Sequence, residues 1–214
     1  MIFSRLHGRL GNQMFQYAAA RALAERLGTR VVLDDRMALH KGDGTLLRVF
    51  DLPELAEAPL PPAKHQRPLA YAAWRGLGKR PRIRRERGLG YNPDFANWSD
   101  DSYLHGYWQS ERYFTNIADT LRSAFVFRTP MSARNVEMAA RIASGPSVAL
   151  HVRRGDYVAV NAMALCDQAY YDAALAAIRK RMDVDPTVYV FSDDPEWAKA
   201  NLPLPFDKVV VDFN

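Results

Sequence analysis

The chain holds one cysteine, Cys166, among 214 residues. A single thiol excludes an internal disulfide framework and fits a reducing compartment. The five histidines are scattered without ligand spacing, which argues against a zinc site. No apolar run approaches the roughly 20 residues of a membrane-crossing helix, and the first residues carry no signal-peptide core. The G-x-G-x-x-G fingerprint of dinucleotide binding is also missing. What remains is ordinary for a globular protein, with 48% hydrophobic and 25% charged residues. The net charge of +5 points to an anionic partner: a nucleotide, a phospholipid surface or a nucleic acid.

The most informative stretch is residues 146–157, PSVALHVRRGDY. Gly145 and Pro146 break a helical pattern, and residues 147–152 form a short apolar run, expected to be a strand buried on both faces of a parallel sheet. The run ends in His151, Val152, Arg153, Arg154, Gly155 and Asp156. With a side-chain period of two, His151 and Arg153 share one face, and Val152 and Arg154 the other. In open α/β sheets the carboxyl edge is where ligands bind, and arginine is shaped to grip phosphate oxygens bidentately. A surface turn in which Asp156 pairs with one arginine is the simpler alternative.

At the amino end, residues 2–6 read as a strand, residues 13–27 as a helix and residues 29–33 as a second strand. Gly28 is placed to stop the helix in a left-handed conformation. Residues 7–12, His-Gly-Arg-Leu-Gly-Asn, form the turn between them. Backbone N–H groups and the helix dipole favour an anion there. Asn12 reads as an N-cap, as a ligand contact, or as both. Asp34 stands near where a ribose-binding acid would be expected, which keeps a nicotinamide reading open.

Prolines mark residues 53–68 as an irregular connection, followed by a short helix over residues 69–77. Lys79, Arg80, Arg82, Arg84, Arg85 and Arg87 form a basic run, read as solvated surface, with docking to anionic lipid headgroups or nucleic acid as the alternative. Residues 102–109 read as an aromatic strand and 111–125 as one helix. Tyr103, Tyr107, Trp108, Tyr113 and Phe114 are assigned to the core rather than to a sugar platform.

From residue 132 the pattern is helix, strand, helix (168–182), strand (187–191), helix and strand (208–211). Ser132 caps the first of these helices, and Asp194 caps the helix that opens at Pro195. Asp193 and Asp194 could form a metal-binding acidic pair, but capping explains Asp194 better. Ser192 and Asp193 are therefore read as nucleotide-side contacts, with no metal.

The segment GRLGNQMFQYA, residues 8–18, resembles the N-terminal motif of the α-1,2-fucosyltransferases, glycosyltransferase family 11. HVRRGDY, residues 151–157, resembles the H-x-R-R-x-D motif shared with α-1,6- and protein O-fucosyltransferases. FSDDPEW, residues 191–197, is similar to a third family segment. The resemblance covers both ends of the chain and only loosely the middle. It implies an α/β, GT-B-like fold of two Rossmann-like domains facing a cleft, drawn here as residues 1–130 and a nucleotide-sugar-binding domain at 131–214. It further implies a galactoside α-1,2-fucosyltransferase that moves L-fucose from GDP-fucose, with inversion and no required metal or other cofactor. The acceptor would be a hydroxyl, galactose O2, of a bacterial surface glycan or lipid-linked saccharide.

On this reading Arg153 matches the arginine that binds the β-phosphate and is the catalytic candidate. Gly11, Asn12, His151, Arg154, Asp156, Ser192 and Asp193 are the donor-binding candidates, with Asp156 orienting the arginines. Family members continue past the point where residue 214 stands, through a serine- and tryptophan-rich segment near the donor. The second domain is therefore expected to be incomplete in this chain. A cytoplasmic enzyme held at the inner face of a bacterial membrane through residues 79–87 is the expected setting. An NAD(P)-dependent oxidoreductase and a basic nucleic-acid-binding protein are the rival classes.

Overall fold

The computed structural model describes residues 1–42, 44–62, 66–77, 80–88, 90–160 and 165–213, with the backbone alone at 156, 159 and 160. The chain divides into two compact units, Met1–Pro130 and Met131–Asn214. The first contains β1 (Ile2–Arg5), α1 (Leu10–Arg26), β2 (Val31–Asp34), α2 (Arg36–His40), α3 (Leu46–Val49), α4 (Pro68–Leu77), β3 (Arg82–Arg85), β4 (Ser102–His105) and α5 (Ala118–Ala124). Its strands are all parallel, in the order β2-β1-β4-β3.

α1 is built to be packed on two sides. Alanine is the best helix former, and alanines 18, 19, 20, 22 and 24 are all buried. Ala19, Ala20, Leu23 and Ala24 pack against Ile2, Val31 and Leu104 of the sheet. Tyr17, Ala18 and Ala22 pack on the other side against Leu46, Phe50 and Leu121. Small side chains allow both approaches at once. Gly28, at φ +61°, ends the helix as expected.

Four expectations for this unit are corrected. The helix begins at Leu10, so Gly11 and Asn12 lie inside it and Arg9 is the N-cap residue; Asn12 is no cap. The basic run is not simply solvated surface: residues 82–85 form the edge strand β3, and the Arg84 guanidinium lies 5.1 Å from the Trp98 ring centroid. Residues 111–125 are not one helix. Two 3-10 turns, Glu111–Tyr113 and Thr115–Ile117, precede α5 because Tyr113 turns inward, 5.5 Å from Trp108 and 4.9 Å from Phe95. The strand at 102 also stops at His105. The Glu86 carboxylate accepts from the Tyr107 and Trp108 N–H groups at 2.6 and 2.9 Å, and the fully buried Trp108 takes φ +57°.

The second unit runs α6 (Ala133–Ala143), β5 (Ser147–Val152), α7 (Gly155–Val160), α8 (Gln168–Arg179), β6 (Thr187–Ser192), α9 (Pro195–Asn201) and β7 (Lys208–Val211). Ser132 and Asp194 cap α6 and α9 as expected, accepting from Asn135 N and Trp197 N. The parallel sheet has the order β5-β6-β7. One face carries Leu150, Val152, Val188 and Val190 against Tyr171, Leu175, Ala198 and Leu202. Here β5 departs from expectation. It is an edge strand with one covered face, and Ala149 and His151 on the other face are exposed.

Candidate functional site

Both sheets end, at their carboxyl edge, in polar residues that the fold holds in place, but by different means. In the first unit the turn after β1 is held by two fully buried glutamines on α1. Gln13 donates to the carbonyls of Gly8 and Gly44 at 2.8 and 2.9 Å and accepts from Leu46 N at 2.8 Å. Gln16 accepts from His7 N at 3.0 Å and donates to His7 O at 3.2 Å. Every polar atom of the two amides is used, which is what burial demands. Sequence reading overlooked these residues. Their spacing of three on one helix face, directly after a glycine-bearing turn, was the available signal.

Gly11 and Asn12 lie in the first turn of α1, whose N-cap makes no side-chain hydrogen bond. Asn12 Oδ1 accepts from Gln109 Nε2 at 2.6 Å. A Cβ at position 11 would meet nothing within 4 Å, so packing does not require glycine there.

In the second unit the turn after β5 is held by carboxylates of the β6–α9 turn. Asp193 accepts from the Arg154 N–H at 2.7 Å and also from the Gly155 N–H. A Cβ at 155 would come within 2.9 Å of Asp193 Oδ2, which explains the glycine. The same carboxylate lies 3.5 Å from Arg153 Nε. Burial pushes the Asp193 carboxyl up, but the two N–H groups and the Arg153 charge outweigh it and hold it below the usual range.

Arg154 turns toward Trp197 and Asp194 instead. Its guanidinium lies 3.8 Å from the Trp197 ring centroid, and its Nε is 3.5 Å from Asp194, an ion pair without a hydrogen bond. Ser192 donates to Val152 O at 2.9 Å and accepts from Asp194 N at 3.0 Å. Ser192 and Asp193, read from sequence as nucleotide contacts, thus shape the turn that carries the arginines. The Asp156 side chain lies outside what the structure describes.

His151 and Arg153 line one cavity of about 440 Å³ beside β5 and α8, together with Tyr157, Cys166 and Tyr170. Arg153 also faces the Tyr157 ring at 5.1 Å. The structure therefore brings His151, Arg153, Arg154, Ser192 and Asp193 to one sheet edge. Gly11 and Asn12 belong to the other unit. Among the described residues no three His, Cys, Asp or Glu side chains gather as metal ligands.

Asp34 does not serve as a free ribose-binding acid. Arg36 grips it at 2.8 and 2.7 Å, and the Tyr103 hydroxyl donates to it at 2.7 Å. Burial raises its pKa, but these hydrogen bonds prevail and hold it below the carboxylate range. It lines a second cavity, of about 490 Å³, with Arg5, Arg85, His105, Tyr71 and Trp74. Sequence reading placed Arg85 in the basic surface run and assigned Arg5, His105, Tyr71 and Trp74 no role. In the basic run Lys79 lies outside the described residues, and charge on the edge strand β3 discourages edge-to-edge pairing. No helix among the described residues is long and apolar enough to cross a membrane.

Residues 93–213 match the family model described as glycosyl transferase family 11. An α-1,2-colitosyltransferase of Escherichia coli is 30% identical over 222 residues, covering 93% of this chain and 71% of that protein. Galactoside α-(1,2)-fucosyltransferase 1 of Homo sapiens is 28% identical, covering 92% of this chain and 51% of that protein. The chain thus spans about half the length of that relative. The crystal structure of fucosyltransferase NodZ from Bradyrhizobium superposes with a TM-score of 0.53 at 15% identity, covering 99% of this chain and 78% of that one. A NodZ α-1,6-fucosyltransferase structure soaked with GDP-fucose gives 0.54 at 15% identity, covering 100% and 77%. At such identity the likeness speaks for the fold, which is α/β and GT-B-like. The family model covers more than half of the chain, the colitosyltransferase aligns across most of both proteins, and the chain belongs to glycosyl transferase family 11.

Proposed function

We propose that the protein transfers L-fucose from GDP-fucose to a saccharide hydroxyl, galactose O2, with inversion at the sugar carbon. Family membership supports this reading, as do the α-1,2 linkages in the names of both relatives. The observation that carries it is Arg153, which lines a cavity with His151 while Asp193 supports its guanidinium. As the bond between sugar and β-phosphate breaks, negative charge builds on the departing phosphate. A guanidinium already oriented at that point stabilises the charge without reorganising. Arg153 takes that role and His151 contacts the nucleotide. Arg154, stacked on Trp197, adds its positive potential from the far side.

No metal is part of this proposal. Asp194 caps α9 and Asp193 binds the backbone of residues 154 and 155, so neither carboxylate is uncommitted.

The test is a transfer assay with GDP-fucose and a galactoside. Arg153→Lys keeps the charge but loses the fork, and should lower turnover by about a hundredfold, whereas Arg154→Lys should be milder. Activity should persist in EDTA. Equal, small effects of both changes, or a strict requirement for a divalent ion, would overturn the assignment. Because one relative is a colitosyltransferase, nucleotide-activated colitose belongs in the same assay. Faster transfer of colitose than of fucose would change the sugar in this reading and leave the site intact.

A further inference from the structure

The cavity in the first unit has a charge pattern that donor binding leaves unexplained. It lies at the carboxyl edge of the sheet, where Arg5, Asp34, Arg85 and His105 are the last residues of their four strands. Among the described residues Asp34 is its only carboxylate, and Arg36 and Tyr103 occupy both of its oxygens. Neither Arg5 nor Arg85 has a carboxylate partner among the described residues. Arg5 Nη1 instead lies 3.3 Å from His105 Nε2. Burial, Arg5 and Arg85 push His105 down to about 4, so its ring is neutral near pH 7 and can accept from Arg5. Among the described residues, two guanidiniums are thus left without a counter-charge. Beside them α4 supplies Tyr71 and Trp74, ring centroids 5.8 Å apart, as an aromatic wall.

An aromatic wall takes the apolar face of a sugar ring, and paired guanidiniums take a carboxylate or phosphate. We infer that this cavity binds an acidic saccharide, with its ring against Tyr71 and Trp74 and its anionic group at Arg5 and Arg85. The saccharide's role as acceptor rests on the transferase reading above, whereas the binding itself does not.

Calorimetric titration of the 214-residue chain tests the inference with four ligands: a glucuronate-bearing galactoside, its sugar-phosphate counterpart, its neutral glucose counterpart, and GDP. The acidic ligands should bind at least tenfold tighter than the neutral one, and the better of the two names the anionic group. Arg85→Gln, a change at an exposed edge residue, should remove that preference. Trp74→Ala should weaken all three saccharides, and neither variant should change GDP affinity. Equal binding of acidic and neutral ligands, or a preference that survives Arg85→Gln, overturns the inference. If the acidic saccharide binds but GDP does not, this site stands and the donor role given to Arg153 falls for this chain; the reverse result removes this site alone.

Discussion

The two units solve one problem, fixing a turn at the carboxyl edge of a parallel sheet, with opposite chemistry. The first unit uses neutral amides, Gln13 and Gln16, sealed from solvent. The second uses charged carboxylates, Asp193 and Asp194, that remain partly exposed. Buried amides hold geometry firmly because any broken bond leaves an unsatisfied group away from water. Exposed carboxylates hold more weakly. Asp193 lies 3.5 Å from Arg153 Nε, and Arg153 lines the cavity beside β5 and α8. Both devices fix backbone, but only the second also pairs with a guanidinium, Asp193 with that of Arg153.

The sharpest way to break this comparison is Gln13→Leu. It leaves two carbonyls and one N–H without partners and should destabilise the first unit by about 3 kcal/mol. Hydrogen exchange should show the loss in residues 1–130, with residues 131–213 unchanged. Protection lost equally in both units would show that the amides are not a local device.

Asp193→Ala should cost less, about 1 kcal/mol, since the freed N–H groups of Arg154 and Gly155 can reach water. Its larger readout should be functional: about a tenfold weaker GDP affinity as Arg153 loses its support. Unchanged GDP affinity would mean that Arg153 is oriented by something else.

The smallest expected effect is in pH dependence. His105 has a folded pKa below its unfolded value, so the unfolded chain binds the extra proton as the solution is acidified. The first unit should keep its full stability above about pH 6.5 and lose part of it progressively as pH falls toward 4. Asp193 also has a lowered pKa, so its contribution should be present above the ordinary carboxylate range and be lost only below it. Thermal midpoints between pH 4 and 6.5, with His105→Gln as the control, check this. A slope in that window that persists in His105→Gln would assign it to other groups.

Much of this was legible in the sequence. The apolar run of β5, the cap at Asp194 and the position of Gly28 are local signals, set by side-chain period and backbone preference over a few residues. What stayed hidden depends on distant partners. The strand over Arg82–Arg85 reads as a charged surface because its hydrogen bonds go to β4, 20 residues on. Gln13 reads as a polar residue on a helix because the groups that satisfy it, at Gly44 and Leu46, lie some 30 residues away. The exposed face of β5 was misjudged because an apolar composition does not say whether a strand is central or at the edge.

The sheet order β2-β1-β4-β3 also bears on how the chain is made. β1 pairs with β4, a partner about 100 residues later, whereas β5, β6 and β7 join in the order in which they are synthesised. At roughly 5–20 residues per second, the nascent first unit would wait about 4–14 s after β2 with one side of β1 unpaired before β4 emerges. Translation speed across residues 35–105 thus bears on the yield of the first unit and little on that of the second.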